Sequence, residues 1–186
     1  TKGKDPARLY AGAQVNRLTS DWTALGTSAD SEILTSIRLL RARSREMVRD
    51  NPHAKNVVRI VQNNVVGQGI GIQCQIVNKR GKLNDKLNSA IEAEWANFCR
   101  RQSFHAAGLL DLTGMLRLAM GQLVEAGEGV IRKVYQRFGD SKVPVGVEFI
   151  EADRLMDQWQ SARAPNGNEI RMGVEIDQWG RPEAYW

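Results

Sequence analysis

Residues 49–73 read RDNPHAKNVVRIVQNNVVGQGIGIQ, and this run decides most of the fold. Asn51 is a good helix N-cap, and Pro52 suits the first helical position, where its missing N–H would have no partner anyway. Ala54, Val57, Val58, Val61 and Val65 follow at helical spacing. Gly67 and Gly69 end the helix. Ile70, Ile72, Cys74 and Ile76 then alternate with Gly or Gln, which predicts a half-buried strand with Cys74 facing the core. A dinucleotide-binding loop needs a strand before its glycines and a helix after them. Here the order is reversed, so the glycines read as a turn.

Upstream, residues 31–50 are predicted to form one helix. Ile33, Ile37, Leu40, Met47 and Val48 fall on one arc at about 100° per residue. Arg38, Arg41, Arg45 and Arg49 fall on the adjacent arc, with Arg43 off it. Residues 1–30 are polar and read as an irregular arm. Downstream, residues 78–82 form a turn, and residues 83–102 carry Leu83, Leu87, Ile91, Trp95 and Phe98 at helical spacing. A fourth helix is predicted over 110–126. Its Gly114 and Gly121 each weaken it by about 1 kcal/mol relative to Ala and suit close packing.

From residue 130 the period changes to two. Strands are expected over 130–135 and 145–151, a hairpin around Gly139, and over 170–177 and 182–186, a hairpin around Trp179 and Gly180. With residues 70–77 these make an antiparallel sheet. The fold class is α+β: helices over 31–50, 52–66, 83–102 and 110–126 packed with short hairpin strands, all in one domain over 31–186.

The chain has 186 residues, 26 Lys and Arg against 21 Asp and Glu, a net charge of +5 and only two cysteines. Residues 1–60 hold 11 of those cations and 6 of the acids, so the whole excess sits at the front. That is compatible with nucleic acid but does not require it. Cys74 and Cys99 form no spaced metal set and no disulfide framework. No apolar run approaches the ~20 residues that span a bilayer, so no membrane partner is expected, and the start lacks the apolar core of a secretory signal.

Three blocks resemble the N-terminal part of tailed-phage portal proteins of the lambda type. The first combines Arg43, Arg49, Asn51, Pro52 and His53 with Asn64, Val65, Val66, Gly67, Gly69 and Ile70. The second is EADRL at 151–155. The third is GVEID at 173–177 followed by GRPEAY at 180–185. Three blocks in order are far more specific than one. The resemblance implies the wing-like portion of a subunit in a dodecameric ring at the capsid vertex, through which double-stranded DNA enters and leaves. Its implied partners are further copies of itself, the major capsid protein or scaffold, the terminase large subunit and head–tail connector proteins. Its implied location is the virion, with host cytoplasm during assembly. Family members are longer, and a chain stopping on Tyr185 and Trp186 inside an expected strand is read as a piece of one.

No catalytic constellation stands out. His53 and His105 are isolated. The carboxylate groups Glu125/Glu128 and Glu148/Glu151/Asp153 have nothing converging on them. Lys82 is followed by Leu83, so there is no Walker A motif, and the resemblance implies that the terminase partner hydrolyses ATP. Neither enzyme activity, nor a cofactor, nor a metal is expected. The candidate functional residues are Arg38, Arg41, Arg45 and Arg49. They are read as a subunit or partner contact, with a solvated face and a DNA contact as alternatives. Reversal of Arg38, Arg41 and Arg45 to Glu is expected to weaken assembly and leave the fold intact. The competing function is a free-standing basic nucleic-acid-binding module.

Overall fold

The computed structural model describes residues 17, 18, 20, 21, 26–161 and 163–186. The expected arm over 1–30 lies mostly outside the described residues, and its end already belongs to α1 (Ala29–Ile33), capped by Ser28. The helix expected over 31–50 is broken. After α1 the chain turns at 34–36, where Ser36 N–H donates to Ile33 O at 2.9 Å, and α2 (Ile37–Asp50) begins. Thr35 and Ser36 are weak helix-interior residues because their hydroxyls compete for nearby backbone groups. α3 (Pro52–Val65) follows at once. Asn51 serves both helices: its backbone N–H closes α2 on Met47 O at 2.8 Å, and its side chain accepts from His53 N at 2.8 Å.

The strand expected over 70–77 does not form. The chain there joins no sheet, and only Val77 makes an isolated bridge, to Leu83. Its hydrogen bonds come from side chains of α4 (Asp85–Phe98) instead. Glu92 Oε1 accepts from Cys74 N at 2.8 Å. Asn88, itself buried, accepts from Ile76 N at 3.0 Å and donates to Ile76 O at 3.3 Å. No neighbouring strand answers the alternation in sequence; side chains of a helix supply the partners. Ile70, Ile72 and Ile76 are exposed and Cys74 is half-buried, contrary to the expected core-facing row.

The helix expected over 83–102 stops at Phe98; Arg100 is extended and a single turn, α5 (Arg101–Phe104), follows. α6 (Leu112–Ala126) starts on its Asp111 cap and ends at Gly127, whose left-handed φ of 82° suits glycine. Gly121 is buried against α3: a Cβ there would lie 2.6 Å from Gln62 Nε2. α2, α3 and α6 pack on one another.

Two separate sheets replace the single sheet expected. β1 (Gly129–Val134) and β2 (Gly146–Glu151) pair antiparallel with Gly129 opposite Glu151. β3 (Glu169–Arg171), β4 (Val174–Ile176) and β5 (Pro182–Tyr185) form a meander. The expected strand over 170–177 is folded on itself at Met172 and Gly173, both with positive φ. Met115 and Phe104 sit at the centre of the helical part, beside the Trp95–Phe98–Phe104 aromatic cluster. Ile170, Ala152 and Ala164 are buried towards the meander, where Trp159 meets Trp186 edge to face at 5.3 Å. The class is therefore mixed α+β, as expected.

Candidate partner-contact surface

The four arginines do lie along α2, and each meets a carboxylate of its own chain. Arg38 Nε and Nη2 both donate to Asp157 Oδ1, at 3.0 and 2.7 Å. Arg41 Nη1 donates to Asp157 Oδ2 at 3.0 Å, and its other arm pairs with Glu128. Arg45 pairs with Asp153. Arg49 holds its neighbour Asp50 through two bonds of 2.8 and 3.1 Å. Arg43 is exposed and pairs with no carboxylate among the described residues.

Local structure places these acids. β2 runs into a 3-10 turn, Ala152–Arg154, which presents Asp153. The chain then crosses α2 with Asp157 facing it, and Gln158 Nε2 adds a bond to Leu34 O at 3.1 Å. The same crossing segment is tied to the meander: Met156 N–H donates to Trp186 O at 2.7 Å and Gly173 N–H to Trp159 O at 3.0 Å. The arginine row thus clamps α2 to the strap that carries β3–β5.

Burial decides the weight of each pair. The side chains of Arg41 and Asp157 are 4% and 6% exposed, those of Arg38 and Arg49 67% and 71%. Burial pushes the Asp157 carboxyl up, but the hydrogen bond from Arg38 and the charges of Arg38 and Arg41 outweigh it, so its pKa falls below the usual carboxylate value. Arg41 Nε is buried without a hydrogen-bond partner. Arg41 is therefore part of the fold's interior, and its reversal to Glu would bury two like charges against Asp157, so the fold would not survive intact. The carboxylate partners were missed in the sequence because Asp157 is 116 positions from Arg41. Asp153 and Glu128 were visible there only as members of acidic groups without a purpose.

The family described as "Phage portal protein, lambda family" matches residues 15–186. The chain belongs to this portal family. It is also similar to a "Probable portal protein" of Halomonas phage phiHAP-1, 30% identical over 188 residues. That match covers 98% of this chain but 36% of the relative, so the chain spans about a third of the relative's length.

Other surfaces of this portal-family chain complete the picture. Leu39, Leu40 and Met47 of α2 and Val57, Ile60 and Val65 of α3 are all exposed. An apolar groove of about 270 Å³ lies between α3, α6 and the first sheet, lined by Val65, Ile70, Leu116, Met120, Ile131 and Phe149. His53 is exposed, whereas His105 is buried and uses Nδ1 to accept from Ala107 N at 3.0 Å. Burial pushes the Cys99 thiol up, away from the thiolate form a nucleophile needs. Glu148 pairs with Arg132 across the first hairpin. Among the described residues no group of three or more His, Cys, Asp or Glu is placed to hold a metal ion, and no helix is long and apolar enough to cross a membrane.

Proposed function

We propose that this chain is the wing portion of a portal subunit, built to pack against neighbouring copies in a closed ring at the capsid vertex, through which duplex DNA is packaged and released. The observation that carries the reading is the portal-family match over residues 15–186. The exposed apolar residues Leu40 and Met47 of α2 and Val57 and Ile60 of α3 support it, because large apolar side chains left open to water suit a partner contact. A ring needs two different complementary flanks that close under rotation. The assigned domain, residues 31–186, supplies one flank through α2 and α3, with Arg38 and Arg49 exposed at its rim. Arg41 and Arg45 support that flank from within by holding α2 in place. Capsid protein or scaffold, terminase and head–tail connectors are the partners that fit a ring so placed, in the host cytoplasm during assembly and in the virion afterwards.

Electron microscopy of the complete parent protein tests this. Rings are expected, and Leu40→Asp with Met47→Asp is expected to abolish them while circular dichroism of this chain stays unchanged. Absence of rings from the unaltered protein would refute the reading.

A further inference from the structure

We infer that the turn at residues 78–82, with the first turn of α4, is a preformed contact for the phosphate backbone of duplex DNA. The arginine helix looked like the basic surface in sequence, but Arg38, Arg41, Arg45 and Arg49 each meet a carboxylate of the same chain. Lys79, Arg80, Lys82 and Lys86 are different. All four are exposed, and none pairs with a carboxylate among the described residues. Asp85 is the only acid among residues 79–86.

The turn is rigid. Asn78 N–H donates to Lys82 O at 2.8 Å, Gly81 N–H to Asn78 O at 2.9 Å, and Asn84 N–H to Ile76 O at 2.8 Å. Asn78 Oδ1 accepts from both Arg80 N and Lys82 N, at 2.9 and 3.2 Å. Gly81 takes the left-handed φ of 74° that closes the turn. Asn88 and Glu92 pin the incoming strand to α4, as described above. A backbone fixed this way loses little conformational freedom when a ligand binds.

The residue types choose the ligand. Three of the four cations are lysines, which meet phosphate as point charges without the bidentate geometry that arginine uses for carboxylate and phosphate alike. Protein interfaces are depleted in lysine and enriched in aromatics, and residues 78–86 hold no aromatic. The same lack of a stacking platform disfavours single strands. The inference rests on the portal reading only for naming duplex DNA as the polyanion.

The test is binding of this chain to a 30-base-pair duplex at several salt concentrations. Each phosphate contact contributes a slope of about −0.9 in log affinity against log salt, so four contacts lose roughly 150-fold between 50 and 200 mM. Lys79→Gln, Arg80→Gln, Lys82→Gln and Lys86→Gln together should make the slope shallower by about 3 and weaken binding more than tenfold at 50 mM. A control chain with Gln at Lys55, Lys133, Arg137 and Arg181, also exposed and paired with no carboxylate among the described residues, should keep the parent slope within about 1. Unaltered circular dichroism certifies both folds. An unchanged slope in the turn variant, an equal change in the control, or binding of polyglutamate in place of duplex would each overturn the inference. Ring formation by the complete protein is scored separately, so loss of the ring reading and loss of this contact are distinguishable.

Discussion

Arg41 of α2 and Asp157 of the strap meet at 3.0 Å with both side chains almost wholly buried. The pair joins α2 to the strap beside the contacts of Arg38 with Asp157, Arg45 with Asp153 and Gln158 with Leu34. A buried ion pair is held at a desolvation cost, and its net stabilisation is small when intact. Its removal from one side is a different matter, because the remaining charge keeps the cost and loses the compensation.

Asp157→Ala should therefore cost about 3–5 kcal/mol, read as a lower urea midpoint by circular dichroism. Arg38→Ala, at an exposed position of the same cluster, should cost under about 1 kcal/mol. Equal losses would show that burial is not what separates Asp157 from Arg38.

Acid should loosen the strap and the meander together. Asp157 titrates below the usual carboxylate value for the reasons given above, and so does Glu175, which accepts hydrogen bonds from Asn166, Asn168 and Trp186. Both folded values lie below the unfolded ones. Their stabilisation is thus complete above the unfolded value of about 4 and is lost as pH falls through the folded values. Thermal midpoints should be level from about pH 7 to 5 and drop below about pH 4. Asp157→Asn combined with Glu175→Gln should lower the midpoint at neutral pH and shrink the acid drop.

The β3–β4 turn has one good and one poor residue. Met172 and Gly173 both have positive φ, at 48° and 77°, as a two-residue hairpin turn of mirror-image type requires. Met172→Asn should stabilise by about 0.5–1 kcal/mol, because Asn tolerates this conformation and Met does not. Gly173→Ala should destabilise by about 1–3 kcal/mol, since its Cβ would also lie 2.8 Å from Met156 O. Thermal melts of the two variants should move in opposite directions.

Gly121 sets two effects of similar size against each other. Ala there gains about 1 kcal/mol of helix propensity. Its Cβ would displace Gln62 Nε2, which donates to Arg117 O at 2.9 Å, at a loss of about 1 kcal/mol. Gly121→Ala should melt close to the parent, while Gly121→Val should melt well below it.

The helices were legible where chemistry is local. Asn51 with Pro52 announces a helix start in two residues, and the first hairpin's edges fall within one residue of those expected. Sequence alone misjudged whatever depended on a distant partner. Residues 70–77 have strand periodicity, yet only the fold reveals that Asn88 and Glu92 occupy the place of a neighbouring strand. The Met172 turn was hidden because Met is not a turn residue. The arginine row was found, but its purpose was not, since Asp157, Asp153 and Glu128 reach it only after the whole α4–β2 region has folded.

Asn88 satisfies Ile76 on both its N–H and its C=O. The amide proton of Ile76 is thus sheltered from exchange by one side chain and not by a sheet. In β1–β5, shelter fails when a strand peels away from its neighbour. Along residues 74–76 it fails when α4 swings or when a single carboxamide is removed, so deuterium uptake at Cys74 and Ile76 reports the seating of one helix.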